Sequence, residues 1–215
     1  TAEWAACYKP NVAFFEREGP AGVEAFAKLL ALLRERGIPS IADVKRGDIG
    51  STAEAYAAAY FDGPFDADAI TVNPSLGLDT VQPFVKAAQL HERGILLLLR
   101  TSNPGAPQFQ DVWEQGLVEA ISAQPAFGAV VGATDPEVGG RLRAALPETF
   151  FLVPGFGAQG GSDLAPFFDS TGRGAVVSSS RAILFAGERE RLPWQDAVRT
   201  AARSAWEAIE EARSK

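Results

Sequence analysis

The stretch SIADVKRGDIGSTAEAYAAAY, residues 40–60, reads as one strand followed by one helix. Its first six residues form a short run around apolar Ile41, Ala42 and Val44, and from Ser51 onward Ala-rich helical spacing takes over. The same β/α unit recurs along the chain. Short apolar runs at 5–9, 69–72, 95–100, 129–131, 151–153 and 175–178 predict six further strands. Amphipathic, helix-like stretches separate them near 21–37, 80–93, 112–123, 136–146 and 163–168, and a closing helix lies near 193–213. Pro136 after Asp135, and Pro193, suit first helical turns, where a missing N–H costs little.

Strands that are continuous apolar runs, nearly all followed by a helix, predict a parallel sheet covered on both faces. An open doubly wound sheet and a closed barrel both satisfy that pattern. Polar or glycine-rich punctuation falls after almost every strand end, where barrel enzymes gather their sites. This favours an α/β fold with one (β/α)8 TIM-barrel domain over residues 1–215. Seven strands fall one short of closure. The chain holds no methionine, not even at position 1, and the first barrel strand is expected upstream of Thr1.

Composition narrows the function. With 215 residues, 47% of them apolar, the chain can bury one substantial core. A formal charge of −7 opposes general binding to nucleic acid, so an anionic ligand has to be caught locally. Cys7 and His91 are the only residues of their kinds. That excludes a disulfide framework, a Cys/His zinc site and a Ser-His or Cys-His nucleophilic pair. The longest strongly apolar run, 95–99, is too short to span a bilayer and no leader pattern opens the chain, so a cytoplasmic protein without membrane partners is expected.

Asp43 and Lys45 are two apart at a strand end, so their side chains leave the same face and, in a barrel, enter its mouth. Asp48 follows just beyond. Three charges in six residues are costly to bury without mutual pairing or a ligand, although spacing alone equally allows a solvated loop. Lys9, ending an earlier run, makes the same demand or snorkels at the rim. Ser102-Asn103-Pro104-Gly105 follows the run 95–100 with short polar groups, or simply turns. PGFGAQGG, residues 154–161, brings glycines whose N–H groups can approach an anion, and Arg181 closes the next strand end. Loops after the last two strands are where barrels commonly hold phosphate.

At these residues the pattern becomes specific. Asp43-x-Lys45-x-x-Asp48-Ile49, with Thr52 shortly after, resembles the signature of orotidine 5′-monophosphate decarboxylases. ADVKRGDIGSTAEAY (42–56), KPNVAFFE (9–16), TVNP (71–74) and PGFGAQG (154–160) are similar to the bacterial, type 2 branch with a longer second barrel segment. The resemblance implies conversion of orotidine 5′-monophosphate to UMP, the last step of de novo pyrimidine nucleotide synthesis, without metal or other cofactor. Lys9, Asp43, Lys45 and Asp48 would form the catalytic tetrad, with Lys45 as proton donor. Asp48, Ile49 and Thr52 would reach into the neighbouring subunit's site in a homodimer. Ser102 would bind the pyrimidine and Gln159, Gly160 and Arg181 the phosphate, with Asn103 and Pro154 also at the substrate site. The family's ribose-holding aspartate on the first barrel strand has no counterpart in these residues.

Two alternatives stand beside that reading. A ketose-phosphate decarboxylase or aldolase of the same barrel group shares D-x-K-x-x-D but uses a divalent metal, so a chelator separates the two. A non-catalytic nucleotide-binding barrel would bind UMP without turnover.

Overall fold

The computed structural model describes residues 1–157, 161, 163–190 and 193–215. The elements run α1 (Ala13–Glu16), α2 (Gly19–Glu35), β1 (Ile41–Arg46), α3 (Gly50–Phe61), β2 (Ala69–Val72), α4 (Gln82–His91), β3 (Gly94–Arg100) and α5 (Pro107–Ser122). They continue with β4 (Phe127–Val131), α6 (Pro136–Ala145), β5 (Phe151–Pro154), β6 (Ala175–Ser178), α7 (Arg181–Leu184), α8 (Ala186–Glu190) and α9 (Trp194–Arg213). Among the described residues the six strands form a parallel sheet in chain order. The fold is therefore α/β with helices alternating between parallel strands. The chain divides into two compact units, one of residues 6–98 and 126–128, the other of residues 1–5, 99–125 and 129–215.

In the first unit, Phe26, Leu30 and Leu33 recur at helical spacing on α2 and are buried. Each such side chain removed from water contributes about 1.5–3 kcal/mol. Phe26 also meets the rings of Phe15 and Phe65, with centroids 5.2 and 5.7 Å away. Gly22 lies where a Cβ would collide with the Phe15 carbonyl, so only glycine lets the start of α2 close on α1. Charges at the N-terminal ends of the strands tie loops together. Asp66 accepts from Arg34 at 2.7 Å and Arg93 at 3.0 Å, and Asp68 accepts from the Ser40 amide at 2.8 Å.

The run 5–9, expected as a strand, corrects to two isolated parallel bridges on β1, Tyr8 with Ser40 and Asn11 with Asp43. Tyr8 exchanges backbone bonds with Pro39 and Ile41, and the Pro10 carbonyl accepts from the Asp43 amide at 3.0 Å. Pro10 has no N–H to return, so the ladder breaks between the two bridges.

In the second unit β5 is buried at Phe151, Leu152 and Val153, whereas every residue of β6 is half-buried. Asp135 caps α6 by accepting from the Val138 amide at 3.1 Å. The helix expected near 163–168 is only a 3-10 turn, Ala165–Phe167, and α5 starts at Pro107, earlier than expected. Arg143 of α6 is buried over the Phe151 ring, 3.7 Å from its centroid. Its guanidinium donates to the carbonyls of Phe167, Leu146, Pro147, Thr149 and Gly174.

Candidate active site

In the first unit the charge gathers on Asp43, in the middle of β1 and only 7% exposed. A carboxylate there needs its lone pairs filled. One oxygen, Oδ2, accepts from Lys9 Nζ at 2.8 Å and from Asn11 Nδ2 at 3.1 Å. The other, Oδ1, accepts from Lys45 Nζ and from Thr71 Oγ1, the latter at 3.2 Å. Burial opposes ionisation, but the charges and hydrogen bonds of Lys9 and Lys45 outweigh it and hold the Asp43 carboxyl below the ordinary carboxylate range. Asp43 is thus an anion clamped between two cations.

The two lysines differ in access. The Lys9 side chain is 12% exposed and that of Lys45 is 45% exposed. Lys45 can therefore present its ammonium to an external group while Asp43 orients it; Lys9 acts through the carboxylate. Lys45 also stands at φ 47°, in the left-handed region that a side chain rarely adopts. Such strain costs about 1–3 kcal/mol and persists only where neighbours over-determine it.

The sequence alone gives Asn11 and Thr71 no role, yet both touch Asp43. Asn11 also accepts from the Ala13 amide at 3.0 Å and so opens α1. The signal was present for Asn11, one residue from Pro10 in the KPN stretch; for Thr71 it was a lone hydroxyl inside the apolar run 69–72. Beside the cluster, Arg46 pairs with Glu16 at 2.9 Å and lies over the ring of Tyr56, 5.1 Å from its centroid.

Among the described residues Lys45 forms its salt bridge with Asp43 and not with Asp48. Asp48 lies just past β1, where its carboxylate accepts from the Ile49 amide at 2.8 Å. Ile49, 63% exposed, and exposed Thr52 occupy the β1–α3 junction with it.

The second unit places the other expected residues at strand C-terminal ends. Ser102 follows β3, and its carbonyl accepts from Thr134 Oγ1 at 3.2 Å. A Cβ on Gly132 would strike the Ser102 backbone, so glycine permits this approach. Asn103 serves the turn into α5: its Oδ1 accepts from Thr101 Oγ1 at 2.6 Å and its carbonyl from the Ala106 amide at 3.0 Å. Pro154 ends β5 and accepts from the Ala133 amide at 2.8 Å. Beyond it the Gly157 amide donates to Gly161 at 3.1 Å. Gln159 and Gly160 lie outside the described residues. Arg181 opens α7 after β6 and is exposed. Among the described residues no group of three or more His, Cys, Asp or Glu side chains is placed to hold a metal ion.

Known proteins resemble this chain in sequence and in fold. The sequence profile described as "Orotidine 5'-phosphate decarboxylase / HUMPS family" matches residues 2–191. The orotidine 5'-phosphate decarboxylase of Rhodopirellula baltica is 43% identical, over 91% of this chain and 75% of its own length. That of Clostridium acetobutylicum is 41% identical, over 88% and 73%. The solved structure of Leishmania donovani OMP decarboxylase superposes with a TM-score of 0.84 at 34% identity, covering 100% of this chain and 84% of that one.

Proposed function

The chain belongs to the orotidine 5′-phosphate decarboxylase / HUMPS family and decarboxylates orotidine 5′-monophosphate to UMP, and in that reaction we propose that Lys45 delivers the proton that replaces CO₂. The observation that carries this role is the half-exposed Lys45 side chain, whose ammonium is bound to a buried carboxylate. As the bond from C6 to the carboxyl carbon breaks, its electron pair stays on C6, in an orbital the ring delocalises poorly. The Lys45 ammonium stabilises that charge and passes a proton to it, and water restores the lysine afterwards.

Asp43 faces the substrate carboxylate in this reading. Two like charges about 4 Å apart at an effective dielectric near 20 repel by roughly 4 kcal/mol, about three decades of rate. Enzymatic accelerations run up to about 20 kcal/mol or more, so repulsion is a minor share. Most has to come from charge preorganised around C6 and from binding energy at the phosphate. Lys9, Asn11 and Thr71 supply the preorganisation by fixing Asp43.

We assign the pyrimidine to Ser102 and the phosphate to Gln159, Gly160 and Arg181, with Asn103 and Pro154 also at the substrate site, all at or beyond strand C-terminal ends of one (β/α)8 barrel domain. We further propose a homodimer of the type 2 branch in which Asp48, Ile49 and Thr52 complete the partner's site; the exposure of Ile49 leaves it free to be covered by a partner. A cytoplasmic location fits the use of a single cysteine. No helix among the described residues is long and apolar enough to cross a membrane.

The primary test follows the loss of orotate absorbance with chelator present. Turnover that resists the chelator and falls by about 10⁴-fold in Lys45→Ala is expected; an active Lys45→Ala enzyme would remove Lys45 from the chemistry. Arg181→Ala should lower kcat/KM for the phosphorylated substrate by about 10²-fold while slow turnover of the free nucleoside stays unchanged. Equal losses on both substrates would dismiss the phosphate role.

A further inference from the structure

We propose that Thr71 is a positioning residue for the decarboxylation: its hydroxyl holds the irregular end of β1 in the conformation that keeps Lys45 against Asp43. The inference rests on Lys45 being the proton donor. It starts from the register of two strands. Ala42 pairs with Ile70 and Arg46 with Val72, so four steps along β1 are matched by two along β2. Asp43, Val44 and Lys45 together oppose the single residue Thr71. An irregularity of this size removes the excess residues from the backbone ladder and re-aims their side chains.

The amides left over are the ones Thr71 takes. Its Oγ1 accepts from the Val44 amide and from the Lys45 amide, each at 2.9 Å. With both acceptor positions of the hydroxyl filled, its one hydrogen is left to donate, and the atom in reach is Asp43 Oδ1 at 3.2 Å. Thr71 is 1% exposed, and its hydroxyl is therefore fully used and its direction is fixed. One oxygen atom links the backbone of Lys45 to the carboxylate that binds the Lys45 ammonium. It also holds the residue that stands at φ 47°. Lys45 is pinned at both its backbone and its side chain, and Thr71 contributes to both pins.

Side-chain identity makes this testable, because valine keeps the shape of threonine and removes only the hydroxyl chemistry. Thr71→Val should lower kcat by about 10²-fold, the size of effect that small misplacement of a reacting group produces. KM should change less than about threefold. Thr71→Ser, which keeps the hydroxyl and loses the methyl, should recover kcat to within about fivefold of the parent. A merely structural role would show the opposite ordering: the serine variant, with its packing defect, would be slower than the isosteric valine. Parent-like kcat in Thr71→Val, a loss expressed in KM alone, or a serine variant as slow as valine would each overturn the proposal. Should valine prevent folding, Thr71→Cys, close in volume with a weak hydrogen-bonding sulfur, is read by the same criteria. Lys45→Ala, assayed alongside, separates the two claims: if it retains activity the proton-donor reading fails, whereas an inactive Lys45→Ala with a normal Thr71→Val refutes the positioning role alone.

Discussion

Asp43 and Arg143 are both buried charges, and the structure satisfies them in opposite ways. Arg143 spends its donors on five backbone carbonyls and stacks on Phe151, so its partners are atoms that cannot titrate or leave. Burial draws its pKa below the ordinary arginine value, with Asp169 opposing. Asp43 instead spends its lone pairs on side chains, two of them cations and one of those 45% exposed. A charge locked by backbone works as a structural clamp. A charge balanced by an accessible ammonium is poised to act on something from outside.

The largest effect expected from this difference is kinetic. Asp43→Asn removes the negative charge that orients Lys45, and kcat should fall by about 10³-fold, with stability near neutral pH changed by less than about 2 kcal/mol. A steady-state assay beside urea unfolding checks both numbers. If Asp43→Asn lost stability and kept its rate, the two sites would be alike after all.

Arg143→Leu should behave inversely. Leaving five carbonyls short of a donor inside the second unit is expected to lower unfolding stability by about 3–5 kcal/mol, while kcat per folded molecule stays within twofold. Arg143→Lys keeps the charge but loses the planar fork that reaches several acceptors at once, and about 1–2 kcal/mol should go. A lysine variant as stable as the parent would show that charge, and not the fork, matters at this position.

Sequence made the charged strand end legible and the devices that hold it illegible, for physical reasons. Period-two alternation puts Asp43 and Lys45 on one face and an apolar run ends at Lys9, but it is the family resemblance that separates these residues from a solvated loop or rim. Thr71 acts through an irregularity between β1 and β2, and periodicity within one strand says nothing about register between two. Arg143 sits in an amphipathic helix where arginine ordinarily faces water, and the carbonyls it binds are scattered from Leu146 to Gly174. The helices were legible to within a few residues where they were long. Short α7 and α8 and the collapsed stretch 163–168 were not, because a turn or two of helix carries too little periodicity to read. The relation of Asp48 to Lys45, expected from the motif, is not made within one chain, since Asp48 lies beyond the strand and bonds the Ile49 amide.

The smallest effect concerns pH, and here the two charges diverge in sign-dependent fashion. Asp43's carboxyl is held low in the folded state because Lys9 and Lys45 outweigh burial. A carboxyl with a depressed folded pKa contributes stability that is fully present above its unfolded value, near 3.9, and is lost as pH falls through the folded value. The stability difference between the parent and Asp43→Asn should therefore stay level from about pH 7 to pH 5 and shift against the parent below about pH 4. Urea unfolding at half-unit steps measures it. The difference between the parent and Arg143→Leu should stay nearly flat over that window, since a guanidinium remains protonated folded and unfolded. Nearby Asp169 is held low chiefly by its bonds to Thr171 and Arg173, which the substitution leaves in place. If the Asp43→Asn difference instead moved in the parent's favour on acidification, burial would have won over the two lysines, and Asp43 would be a carboxyl kept neutral at rest, unable to orient Lys45 by charge.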